Sequence, residues 1–124
     1  MNGENCYCGS GISFQECCHP YISGVKNAPT AEALMRSRYS AYAVHNADYL
    51  WETTAPKARK HHSKSAMLEW ANANHWVRLE IINAAETLVE FKAYYLDSGL
   101  QAQVHHEKSV FVNDCGRWYY LDGE

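Results

Sequence analysis

Four of the five cysteines of this chain fall between positions 6 and 18, as Cys6-Tyr-Cys8 and then Cys17-Cys18, and no other stretch restricts the fold as tightly. Two cysteines one residue apart present both sulfurs from a single tight turn, and Gly9, Ser10 and Gly11 let the backbone close around an ion. A second pair of ligands follows from Cys17 onward. Thiolates are soft donors suited to tetrahedral zinc, at about 2.3 Å from each sulfur. Cys6, Cys8 and Cys17 are therefore candidate ligands for Zn2+, and Cys18 and His19 are both placed to supply the fourth. Adjacent and nearly adjacent cysteines close poor disulfides in so short a loop, and an odd total fits reduced thiols better than bridges. Cys115 stands apart in Asn113-Asp-Cys-Gly116, a turn sequence, as a bystander thiol.

A chain of 124 residues buries roughly two thirds of its unfolded surface and builds a core without staples, so the knot is expected as an appendage to a fold. With 47% hydrophobic and 20% charged residues, disorder is excluded. No stretch reaches the length of a membrane span, and the first residues lack the basic-then-apolar pattern of a secretory signal. With the reduced thiols, this points to the cytoplasm.

Along the chain, residues 25–29 read as a linker and Thr30 as the N-cap of a helix over 31–44. Asn46-Ala-Asp48 caps a second, short helix through Trp51 to Thr54, which Pro56 brings to an end. A third helix is expected over 65–73, with Met67, Leu68, Trp70 and Ala71 buried. The period then changes to alternation. Segments 75–83, 87–97, 101–113 and 117–121 are rich in Val, Ile, Tyr, Trp and Phe and are joined by short turns, which predicts an antiparallel meander. Helices first and strands afterwards make a segregated α+β fold. In the second strand Val89, Phe91, Ala93 and Tyr95 form the drier side and should face the helices. In the third strand His105 and Glu107 share one side and His106 and Lys108 the other, and periodicity does not choose between them.

Cys-x-Cys followed by Gly-Ser-Gly, and a Cys-Cys pair after eight intervening residues, resembles the SEC-C zinc motif found at the end of the translocase motor SecA. The resemblance implies that the fourth ligand is the residue directly after Cys17, which is Cys18. Cys17-Cys-His-Pro-Tyr-Ile-Ser-Gly24, Leu34-Met-Arg-Ser-Arg-Tyr-Ser-Ala-Tyr42, Asp48-Tyr-Leu50 and Gly116-Arg-Trp-Tyr-Tyr-Leu-Asp-Gly123 are similar to the YchJ family of small bacterial proteins, nearly from end to end. What this implies is a zinc knot over residues 1–24 and a nuclear transport factor 2-like domain over 25–124, a curved antiparallel sheet wrapped around helices as a cone. Tyr7 stands where the motif commonly has proline, and Ile12-Ser13-Phe14 lacks the lysines often seen there, so no basic surface is expected on this knot.

Three functions compete. A zinc with four protein ligands has no open position, so it would be structural, and the chain is read first as a protein-binding or adaptor module. Tyr7 and Ile12 would be offered to a protein partner while Phe14 and Tyr21 pack beneath the metal. On this reading, replacing Cys8 loosens the first twenty residues and leaves the cone folded. The second reading is a small-molecule enzyme of isomerase, dehydratase or hydrolase type, with Arg38, Tyr39, Tyr42, Asp48, His106 and Glu107 around a pocket of several hundred Å³, since a carboxylate beside a histidine suits acid–base work near neutral pH. Against it stands a filled cone, with Arg38 and Glu107 as an internal ion pair. The third is nucleic-acid or phosphate binding through Lys57, Arg59, Lys60 and Lys64, four positive side chains on a chain of net charge −3. The absence of stacking aromatics nearby weakens that reading.

Overall fold

Three short polar side chains decide where the helices begin. Thr30 Oγ1 accepts from Ala33 N at 3.0 Å, Asn46 Oδ1 from Tyr49 N at 3.0 Å and Ser63 Oγ from Ala66 N at 3.2 Å, each satisfying a donor that a first helical turn leaves without a partner. The computed structural model, which describes residues 5–123, accordingly contains α2 (Ala31–Ala43), α3 (Ala47–Glu52) and α4 (Lys64–Ala73). They are preceded by a single-turn α1 (His19–Ile22), which the sequence reading did not include. Residues 1–4 and 124, which belong to the expected units 1–24 and 25–124, lie outside the described residues.

Four strands follow, β1 (His75–Ala84), β2 (Leu88–Leu96), β3 (Ala102–Asp114) and β4 (Arg117–Gly123). They pair antiparallel in the order β1-β2-β3-β4, the expected meander and α+β arrangement. At one edge the ladder of β1 is interrupted twice, between Trp76 and Arg78 and between Ile81 and Asn83, leaving Val77 and Ile82 exposed. At the other edge, Tyr120 N donates to Thr53 O at 2.7 Å and Ala55 N donates to Tyr120 O at 2.8 Å, so the tail of α3 covers β4.

Val89, Phe91 and Ala93 are buried and Tyr95 half-buried, so β2 turns the expected side inward. The register settles β3: Val89 pairs with Ser109, Phe91 with Glu107 and Ala93 with His105, and directly paired residues share a face. α2 packs across β1, β2 and β4. One helical expectation is corrected. In α4, Met67 and Ala71 are buried but Leu68 is exposed, because so short a helix buries only a narrow stripe against α3 and α2. The basic stretch is folded: Pro56–His61 forms a 3-10 helix, with Lys57, Lys60 and Lys64 exposed and Arg59 donating to Thr54 O at 3.1 Å and lying over the Trp51 ring. Lys64 is in contact with Asp48.

The knot is no appendage. Cys6, Cys8 and Cys18 belong to one buried cluster with Leu34, Val89 and Phe111, against which Phe14 and Tyr21 also pack. Among the described residues no helix is long and apolar enough to cross a membrane.

The β3–β4 hairpin closes with Cys115 at φ 55° and Gly116 at φ 87°, between the paired Asp114 and Arg117. Two positive φ values are the demand of the hairpin turn that asparagine-glycine fills best. Cys115→Asn is therefore expected to stabilise the chain by up to about 1 kcal/mol, read as a higher urea midpoint with unchanged slope.

Candidate functional site

The cysteine cluster is assembled by backbone turns. Cys6 N donates to Ile12 O at 2.8 Å and Gly9 N to Cys6 O at 3.1 Å. Gly9 sits at φ 84°, a conformation that a side chain would strain. After Ser13, the chain turns through Phe14 to Cys17 and enters α1, whose first turn is anchored on Cys18 O. All four sulfurs of Cys6, Cys8, Cys17 and Cys18 thereby come within 4.8 Å of one another. Four thiolates about 2.3 Å from one tetrahedral ion would stand about 3.8 Å apart. Cys8 and Cys17 are 3.7 Å apart and Cys17 and Cys18 4.0 Å, so the cluster has the dimensions of a metal site and can hold an ion. His19 is not part of this group; its ring lies edge-on to Phe14 with centroids 5.5 Å apart. Cys115 is exposed on its hairpin.

The thiols constrain one another's charge. Cys18 and Cys8, crowded beside the sulfur of Cys6, hold its pKa well below the usual thiol value, while Cys18 is pushed up by the neighbouring Cys6 and Cys8 sulfurs. Burial pushes Cys17 up to about 11. Without a cation, the four cannot all ionise in so small a space. Neighbouring groups suit anionic sulfur: Ser10 Oγ lies 3.0 Å from Cys17 Sγ and Ser40 Oγ 3.4 Å from Cys6 Sγ. Arg36 Nη1 donates to Cys8 O at 2.8 Å and its Nε to Glu32 at 3.0 Å. Arg36 and Ser40 were missed from sequence, although Glu32, Arg36 and Ser40 are a polar stripe at helical spacing that could have flagged a buried polar neighbour.

A second feature opens between the helices and the sheet, a cavity of about 330 Å³. Its apolar wall is aromatic. Trp70 packs edge-on against Trp76 and Tyr42, with centroids 4.9 and 5.4 Å away, and Phe91 rises from β2. Its polar side is built by Glu107, which accepts from His105 Nε2 at 2.7 Å, Ser109 Oγ at 2.6 Å and Tyr120 OH at 3.0 Å. Burial works to raise the carboxyl's pKa, but these three donors outweigh it and hold Glu107 below the usual carboxylate range.

Arg38, Tyr39, Tyr42 and Glu107 all line this cavity, as the pocket reading expected. His106 and Asp48 do not, and both are corrected. His106 points to the other side of the sheet, 2.7 Å from Glu90, because β3 turns the odd-numbered residues inward. Asp48 is exposed in the first turn of α3. The histidines at the cavity are His105 and His62, whose pKa is lowered by burial and then by the nearby Arg38 charge. The expected Arg38–Glu107 ion pair is not made. Arg38 instead donates through Nη1 to Leu50 O at 2.9 Å and Thr53 Oγ1 at 2.7 Å, and stacks over Tyr120.

The chain's likenesses agree with this layout. Residues 30–123 match the family described as YchJ, middle NTF2-like domain. The UPF0225 protein of Photorhabdus laumondii is 43% identical over 97% of this chain and 80% of its own length. That of Geobacter sulfurreducens is 42% identical over 95% and 77%. The solution structure of a SEC-C motif containing protein from Rhodopseudomonas palustris superposes with a TM-score of 0.89 at 38% identity, covering 98% of each chain. A crystal structure of a SEC-C motif containing protein from Psychrobacter arcticus gives 0.77 at 30% identity, covering 94% of this chain and 78% of that one. A cysteine knot of SEC-C spacing joined to this α+β body places the chain in the YchJ family of UPF0225 proteins.

Proposed function

We propose that this chain is a small-molecule-binding protein of the cytoplasm whose fold is fastened by a structural zinc at Cys6, Cys8, Cys17 and Cys18. The observation that carries the reading is the cavity: about 330 Å³, walled by Trp70, Trp76, Tyr42 and Phe91, with Glu107, His105 and Arg38 converging on it. Ligand sites have this composition, an apolar wall with a few placed polar groups, and this order of volume. A core merely stabilised by aromatics would close the space, since protein interiors tolerate few voids larger than water. His105, held by Glu107, is a further polar group that the cavity offers to a bound molecule.

Zinc is favoured by the donor set, since four thiolates select a soft, tetrahedral ion. With every position taken by protein the ion has no place for substrate, so the metal supports and the cavity binds. Protein purified without added metal should carry one zinc per chain by mass spectrometry; iron or no metal would refute the assignment. For the cavity, a titration series of flat fragments should shift the indole N–H resonances of Trp70 and Trp76, and Ala93→Phe, which fills the space from β2, should abolish those shifts with the fold retained. Fragments that leave both indoles unmoved at millimolar concentration would remove the ligand reading.

A second reading, a protein-docking face on the knot, draws on Tyr7 and Ile12, which are 46% and 50% exposed. Retention of the same pull-down partners after both are changed to serine would exclude it.

A further inference from the structure

The cavity holds a cation whose bonding is half complete. Arg38 is 5% exposed, yet its hydrogen bonds to the described residues all come from Nη1. Nε and Nη2 have no acceptor among those residues. Among the described residues no side-chain nitrogen or oxygen sealed from solvent lacks a partner, so these two nitrogens border open space. Arg38 lines the cavity, which is open space within its reach. The Nε and Nη2 hydrogens of a guanidinium lie side by side in one plane, the edge that grips a carboxylate through two parallel bonds. The guanidinium lies over the Tyr120 ring, 4.7 Å from its centroid, which helps to hold it in place.

Glu107 lies within electrostatic reach of Arg38 but does not occupy this edge. No carboxylate among the described residues is in salt-bridge contact with Arg38. Glu107, in the same cavity, is engaged by His105, Ser109 and Tyr120. A buried guanidinium with half of its donors unpaired is costly, and that free edge marks a place for an anion brought from outside. The Tyr42 hydroxyl, within electrostatic reach of Arg38, has no partner among the described residues and is a further donor. Glu107 limits the charge the cavity accepts, because a second anionic group would face that carboxylate. Trp70, Trp76 and Phe91 offer broad apolar faces to the rest of the molecule.

We infer that the cavity receives a small monocarboxylate with a flat apolar body, its carboxylate held on the Nε–Nη2 edge of Arg38. This rests on the cavity being a ligand site, and the experiment separates the two. The metal-bearing full chain is titrated by calorimetry with 2-naphthoate and with its uncharged twin 2-naphthamide, and the Arg38 Nε–H signal is followed by NMR. The expected result is affinity for naphthoate at least about tenfold above that for naphthamide, with the Nε–H signal moved by naphthoate alone. In Arg38→Gln the preference should vanish while naphthamide still binds. The comparison on the unaltered protein decides the matter even where that variant fails to fold. Equal affinities, or a naphthoate preference that leaves the Arg38 signal in place, overturn the inference and spare the cavity's ligand role. Failure of both probes to bind overturns both.

Discussion

Replacing Cys8 with serine is expected to abolish the zinc binding proposed for the knot and to unfold far more than the knot. Serine is a poor ligand for a soft ion, and the site loses one of its four donors. Cys8 is fully buried, its carbonyl holds Arg36 of α2, and its neighbours Cys6 and Cys18 share the core with Leu34 and Val89. A structural zinc is worth about 10–16 kcal/mol in small folds. A whole domain is stable by only about 5–15 kcal/mol. Losing even part of the metal's contribution should therefore leave a loosened or unfolded chain, where the sequence alone suggested that only the first twenty residues would respond. Metal content, the melting transition and amide exchange across α2 and β1 report on it. A variant that melts like the parent would show that these thiols bind nothing important.

Glu107→Ala is expected to cost about 2–4 kcal/mol, because it strands three donors at once, one of them the fully buried Ser109. Glu107→Gln, which keeps one acceptor oxygen, should fall between the two. The same residue shapes the response to acid. Its pKa in the folded chain is lowered, so on acidification the unfolded chain takes up the proton first. Its contribution is fully present above the ordinary carboxylate value and is lost as pH falls through the lowered, folded value. Urea titrations from about pH 7 to about pH 3 should show that loss in the parent and a shallower decline in Glu107→Ala. Parallel declines would mean that another carboxylate governs acid sensitivity.

How much of this was legible beforehand depended on whether a residue's surroundings are local. The caps at Thr30 and Asn46 act within one turn, and the cysteine cluster closes within its own loop, so both could be read from neighbours in sequence. The dry side of β2 was readable because one of its faces is plainly more apolar. β3 carries polar groups on both faces, and only its register against β2 turns His105 and Glu107 inward. A turn one residue longer or shorter would have presented His106 instead. Asp48 was misjudged for a related reason, since adjacency in sequence to buried Tyr49 says nothing of which way a first-turn residue faces. Arg36 and Ser40 acquire their partners 28 and 34 residues away, across a fold that had yet to be built.

The two edges of the sheet have a consequence for how the chain behaves in company. An unpaired strand edge is a template on which another molecule's strand can grow, and a flat apolar one leads toward fibres. Here β4 already has its outer hydrogen bonds taken around Tyr120 by the segment after α3. β1 meets the problem differently: its two irregularities break the run of outward-facing donors and acceptors and twist the strand, so an incoming strand finds no long register to follow. Straightening β1 by deleting Val77 or Ile82 would restore such a track, turning a discrete molecule into one prone to polymerise.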